Sequence, residues 1–133
     1  MKQTHIIYIV DDDNDDREIL RDAFMSVLPH HQYVLLENGE RLLEELGNNS
    51  IDHQPALILL DLNMPGKDGR ETLKEIKNSK KFFHIPTLIF TTSSSVRDKK
   101  QAYESGANCF TSKPDTFEKL VEFANSVNQL WLS

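Results

Sequence analysis

Residues 56–66 read Ala56-Leu57-Ile58-Leu59-Leu60-Asp61-Leu62-Asn63-Met64-Pro65-Gly66. Five apolar residues run without a break and end on a carboxylate. An amphipathic element would alternate or show a 3.6 period. An unbroken run this short predicts a strand covered on both faces, as in a parallel sheet.

Other short runs share that character. His5–Val10, Tyr33–Leu36, Ile85–Phe90 (with Pro86 near its start) and Asn108–Thr111 are predicted strands. Helical spacing lies between them. A helix from an Asn14 cap to Leu28 would bury Ile19, Leu20, Ala23, Phe24 and Val27 and stop at Pro29. Glu40–Leu46 would end at Gly47, and Asn48–Gln54 reads as a loop. Further helices are predicted over Glu71–Asn78, over Val96–Ser105 with Gly106 closing it, and from Phe117 through Leu130 to Leu132. Five strands alternating with five helices predict an α/β doubly wound sheet. Its ligand site should lie beyond the carboxyl ends of the strands. The polar residues cluster there: Asp11-Asp12 after the first strand, Asp61 after the third, Thr91-Thr92 after the fourth and Lys113 after the fifth.

The composition narrows the function classes. The chain has 133 residues, 38% of them hydrophobic, and a formal charge of −6. No basic stripe offsets that charge, which argues against nucleic-acid binding. The Lys80-Lys81 and Lys99-Lys100 pairs read as solvated helix ends. The apolar block Ile6–Val10 is too short for a signal peptide or a membrane span, so a cytoplasmic protein without membrane contact is expected. Cys109, the single cysteine, reads as a buried inert thiol. His5, His30, His31, His53 and His84 read as surface residues. Trp131 fits either the core or a contact with a second copy.

Asp11, Asp12 and Asp61 would converge at one sheet edge. Ionised together they need a cation, and oxygen-only ligands favour a hard one such as magnesium. Asp15 and Asp16 are explained by the helix dipole, whereas Asp11 and Asp12 directly follow a buried strand. Asp61 beside a cation can act as a nucleophile toward phosphorus. Lys113 could reach across to Asp61 and to phosphoryl oxygens, and the Thr91 hydroxyl could donate to the same oxygens.

Val10-Asp11-Asp12, Asp61-Leu62-Asn63-Met64-Pro65-Gly66 with Gly69, Thr91, and Lys113-Pro114 together resemble the signature of response regulator receiver domains. The resemblance covers essentially the whole chain. It implies a flavodoxin- or CheY-like (βα)5 fold, strand order 2-1-3-4-5, forming a single receiver domain over residues 1–133 with no output domain. The implied protein is a non-enzymatic signalling switch of two-component phosphorelays, in which Asp61 accepts a phosphoryl group from a histidine kinase.

By the same resemblance, Mg2+ is held by Asp12, Asp61 and the Asn63 backbone carbonyl, with Asp11 acting through water. Thr91 and Lys113 hold the phosphoryl oxygens, Thr91 and Phe110 form the switch, and the Lys113–Pro114 peptide is cis. Asn63, Thr92 and Ser93 occupy positions that tune hydrolysis. Thr92 stands where the family usually has Ala or Gly, which implies narrowed access and slow dephosphorylation. The acidic run after the first strand and the loop Gly47–Pro55 look like the small receivers that partner phytochrome-type or hybrid kinases. Output would pass to a downstream protein target or a phosphotransfer protein, and a homodimer would use the face of the fourth helix, fifth strand and fifth helix.

Two other classes fit less well. A haloacid dehalogenase phosphatase needs a second Asp where this chain has Asn63. A flavodoxin-like cofactor binder needs a phosphate loop where this chain is acidic.

Overall fold

A computed structural model describes residues 4–64, 68–92 and 95–132. Five strands, β1 (Ile6–Val10), β2 (Gln32–Leu36), β3 (Leu57–Leu60), β4 (Thr87–Thr91) and β5 (Cys109–Ser112), form one sheet. All four pairings are parallel, and the order is β2-β1-β3-β4-β5. The helices are α1 (Asn14–Val27), α2 (Gly39–Asn48), α3 (Gly69–Lys77), α4 (Val96–Glu104) and α5 (Phe117–Val127). The predicted class and strand order are the observed ones.

Each helix starts where the sequence supplies a cap. Asp13, Asn38, Asp68, Ser95 and Thr116 each accept, through the side chain, the backbone N–H three residues on. Such a cap is worth about 1 kcal/mol. The cap of α1 is therefore Asp13, one residue before the predicted Asn14. Gly47 does not end α2, which runs through it to Asn48, and Ile51–His53 forms a 3₁₀ turn in the predicted loop. After Val127 the last helix widens into a π-helical turn, Asn128–Leu132.

Alternation along the strands builds two cores. Tyr8, Val10, Ile58, Leu60 and Ile89 face one way, onto Leu42, Leu46, Leu73, Ile76 and Ala102 of α2, α3 and α4. Ile7, Ile9, Leu57, Leu59 and Leu88 face the other way, onto Leu20 and Phe24 of α1 and Ala124 and Val127 of α5. Both faces of β3 and β4 are thus buried, which accounts for their unbroken apolar runs.

The apolar periodicity over-reaches at two positions of the helix faces. Ile19 is 45% exposed and Leu130 is 74% exposed, so neither joins the core. Leu130 lies in the π-helical turn, where the 3.6 period no longer fixes the face. Trp131 packs, partly buried, against the α1–α5 core. Cys109 is half-buried, and desolvation pushes its thiol up. His31 is buried, contrary to the surface reading, and its Nδ1 accepts the backbone N–H of His5 at 3.0 Å.

One glycine is fixed by a close approach. A Cβ on Gly69 would lie 2.1 Å from the Asp61 carbonyl oxygen and 2.6 Å from Leu62 Cα. The Gly69 N–H instead donates to the Leu62 carbonyl at 3.1 Å, seating α3 against the end of β3. Gly69→Ala is predicted to lower stability by about 1–3 kcal/mol, the usual cost of overpacking. Urea unfolding measures this, and an unchanged midpoint would contradict the packing account.

Candidate functional site

Parallel strands end on the same side, and β1 and β3 are neighbours. Asp11 and Asp61 therefore emerge side by side. The Asp61 N–H donates to the Val10 carbonyl at 3.0 Å, and the Asp11 N–H to the Leu36 carbonyl at 3.1 Å. Both carboxylates are buried, with Asp11 0% and Asp61 3% exposed, while Asp12 is exposed. Carboxylate oxygens of Asp11, Asp12 and Asp61 all lie within 4.8 Å of one another. Three hard oxygen donors on one rim, with one residue open to solvent, suit a divalent cation that keeps several of its waters. They fit the hard cation that the sequence implies.

Lys113 crosses to this rim from the end of β5. Its Nζ donates to Asp11 Oδ2 at 2.7 Å, to Asp16 Oδ2 at 3.2 Å and to Asp61 Oδ2 at 3.3 Å. The ammonium also stands 5.4 Å from the centre of the Phe90 ring. Desolvation pulls its pKa down, but the hydrogen bond to Asp11 and the charges of Asp61 and Asp11 outweigh that and leave it raised. Burial pushes the Asp11 carboxyl up, and Lys113 offsets this only in part.

Thr91 is buried at the end of β4, and its hydroxyl accepts the Asn63 side-chain amide at 3.0 Å. The Asn63 backbone N–H donates to Asp61 Oδ1 at 3.2 Å. The Lys113 N–H donates to the Thr91 carbonyl at 2.8 Å. Asn63, Thr91, Lys113 and the three carboxylates thus form one connected group. Thr92 is exposed beside it, and Pro65, Gly66 and Ser93 lie outside the described residues. Phe110 is half-buried against the core on the α3–α4 side, two strands from Asp61.

The implied cis Lys113–Pro114 bond is corrected: the described residues contain no cis peptide bond. Trans is the lower isomer of an X–Pro bond by about 0.5–1 kcal/mol, and in it Lys113 already reaches Asp11, Asp16 and Asp61.

Three contacts went unread in the sequence. Asp16 was assigned to the helix dipole alone, yet it holds Lys113. Arg17 donates to the Asp11 carbonyl oxygen. The Tyr103 hydroxyl of α4 accepts the Phe110 N–H at 3.1 Å. None carries a local signal, because each joins residues through the fold.

The family model for the response regulator receiver domain matches residues 7–125. The chain belongs to the response regulator receiver family. It is 32% identical to response regulator Rcp1 of Synechocystis sp. over 96% of this chain and 88% of that protein. Rcp1 in its Mn2+-bound form superposes with a TM-score of 0.84, at 30% identity, over 97% of this chain and 95% of that one. The phosphorylated cyanobacterial phytochrome response regulator RcpA gives 0.88 at 31% identity, over 98% and 96%. The bacteriophytochrome response regulator AtBRR gives 0.78 at 29% identity, over 98% and 96%. The receiver is therefore a two-component response regulator. No helix among the described residues is long and apolar enough to cross a membrane.

A raised Asp11 pKa means that the folded state binds this proton more tightly than the unfolded chain does. Asp11 then favours folding at acid pH and opposes it as pH rises through the raised value. Without divalent cations, Asp11→Asn is predicted to gain stability relative to wild type as pH rises from acid to 7, because the variant does not have to ionise a buried carboxyl. Urea unfolding in a chelator across pH measures this, and a stability difference that does not change between acid and pH 7 would contradict it.

Proposed function

We propose that Asp61 is the phosphoacceptor of this receiver, taking a phosphoryl group from a histidine kinase and thereby switching protein–protein contacts. The observation that carries this reading is the placement of Asp61. Its carboxylate is buried, faces the Lys113 ammonium, and shares a rim with two further carboxylates. In the transfer an Asp61 carboxylate oxygen forms a bond to phosphorus. The bond from phosphorus to the donor imidazole nitrogen breaks, and that nitrogen keeps the electron pair.

Asp12, Asp61 and the Asn63 carbonyl would hold Mg2+, with Asp11 reached through water. When bound, such an ion would supply positive charge against the acidic rim and the phosphoryl oxygens. Lys113 gives an N–H to one phosphoryl oxygen. Thr91 exchanges its Asn63 contact for another, vacating space into which Phe110 turns. Because the Phe110 N–H is held by Tyr103, that turn is felt by α4. Thr92, beside Thr91, narrows the approach of water, while Asn63 and Ser93 supply no strong base to activate it. Phosphate loss is accordingly slow.

The named relatives support a phytochrome-type kinase as donor. The output is contact with a downstream protein or a phosphotransfer protein, or pairing of two copies through α4, β5 and α5. The protein works in the cytoplasm.

Acetyl phosphate with Mg2+ is predicted to add one phosphoryl group, read by intact mass, and Asp61→Asn to abolish it. Equal modification of that variant under short exposure would overturn the assignment.

A further inference from the structure

Lys113 has three N–H donors, and the structure gives all three to carboxylates on different elements. Asp11 ends β1, Asp61 ends β3, and Asp16 stands in the first turn of α1. These partners are not equivalent. Asp11 and Asp61 belong to the cluster whose oxygens can hold a cation; Asp16 does not. Asp61 also changes chemistry on phosphorylation. One of its oxygens becomes the bridging oxygen of a mixed anhydride, and the negative charge moves outward onto the phosphoryl group. Its contact with Lys113 is the longest of the three. Asp16 alone of the three keeps a full carboxylate charge that is owed neither to phosphorus nor to a cation.

We propose that Asp16 is a positioning residue for phosphoryl binding: its carboxylate keeps the Lys113 ammonium aimed at the Asp61 oxygens while Asp61 passes from carboxylate to acyl phosphate. The proposal rests on Asp61 being the phosphoacceptor. Asp16 is well placed for it. Asp13 accepts the Asp16 backbone N–H at 3.0 Å, fixing the first turn of α1. Arg17, next along, ties that turn to the Asp11 carbonyl oxygen and to Asn14 Oδ1. The Asp16 carboxylate therefore projects from a braced turn, although its side chain is 48% exposed.

A bare charge effect predicts the opposite result from positioning. Removing a carboxylate near the site should ease the approach of an anion and weaken a cation. Positioning predicts that the anion binds less well, because the lysine is no longer held.

The test uses the full chain as wild type, Asp16→Ala and Asp16→Glu, with unfolding curves confirming that each is folded. Mg2+ affinity, beryllofluoride affinity in saturating Mg2+, and exchange of the Lys113 ammonium protons with water in the metal-free protein are measured. In Asp16→Ala, beryllofluoride affinity is expected to fall about threefold, the scale of a partly exposed ion pair. Mg2+ affinity should stay within about twofold, ammonium exchange should speed up, and Asp16→Glu should recover most of the loss. Unchanged or tighter beryllofluoride binding in Asp16→Ala, unchanged ammonium exchange, or an equal loss in Mg2+ affinity would overturn the proposal. Absence of Mg2+-dependent beryllofluoride binding in wild type would instead overturn the Asp61 reading, and this proposal with it.

Discussion

Among the described residues, the ammonium of Lys113 is the one positive charge hydrogen-bonded to the buried carboxylates Asp11 and Asp61 at the end of the sheet. Asp11 and Asp61 are both shielded from water, and Coulomb repulsion between such groups is strong where solvent is excluded. Lys113 makes their coexistence tolerable, yet Asp11 remains harder to ionise than a free aspartate. The site is left short of positive charge. A divalent cation would relieve that shortage, and its binding would stabilise the fold by mass action.

Much of the fold follows from bringing that lysine to those carboxylates. Parallel pairing delivers the ends of β1, β3 and β5 to the same edge, and across β4 Lys113 reaches back past Phe90 to Asp61 and Asp11. The backbone bond from Lys113 to Thr91 fixes the end of β5 against the end of β4. Gly69 lets α3 press on the Asp61–Leu62 backbone, so the Asp61 carboxylate sits on a braced strand end. From there a chain of contacts leads outward. Asn63 joins Asp61 to Thr91, and Tyr103 joins α4 to the backbone of Phe110. A change of charge at Asp61 thus has a physical route to the surface of α4 and β5.

The strands, their order and the members of the site were legible because their causes are local or belong to the family pattern. Strands buried on both faces leave unbroken apolar runs, and carboxylates that follow them directly have no simple helix-capping explanation. The exposed edges of the helix faces were less legible. Ile19 and Leu130 share the apolar character of their neighbours, but their exposure depends on which elements pack across from them. Asp16 carried a sufficient local explanation in the helix dipole, which hid its contact with Lys113, 97 residues away. The buried His31 escaped for a similar reason, since its partner is the backbone of His5, just before β1. Such contacts exist only once the sheet has formed.

The proposed switching requires that charge placed on Asp61 be felt through Lys113 and Thr91 as far as Phe110 and α4. Backbone amide spectra of the protein, recorded with Mg2+ alone and then with Mg2+ and beryllofluoride, test it most directly. The predicted result is a second set of shifts, absent with Mg2+ alone, at Thr91, Lys113, Phe110 and Tyr103, with β2 and the α1–α5 core unmoved. Shifts confined to Asp61 and its immediate neighbours would contradict the account.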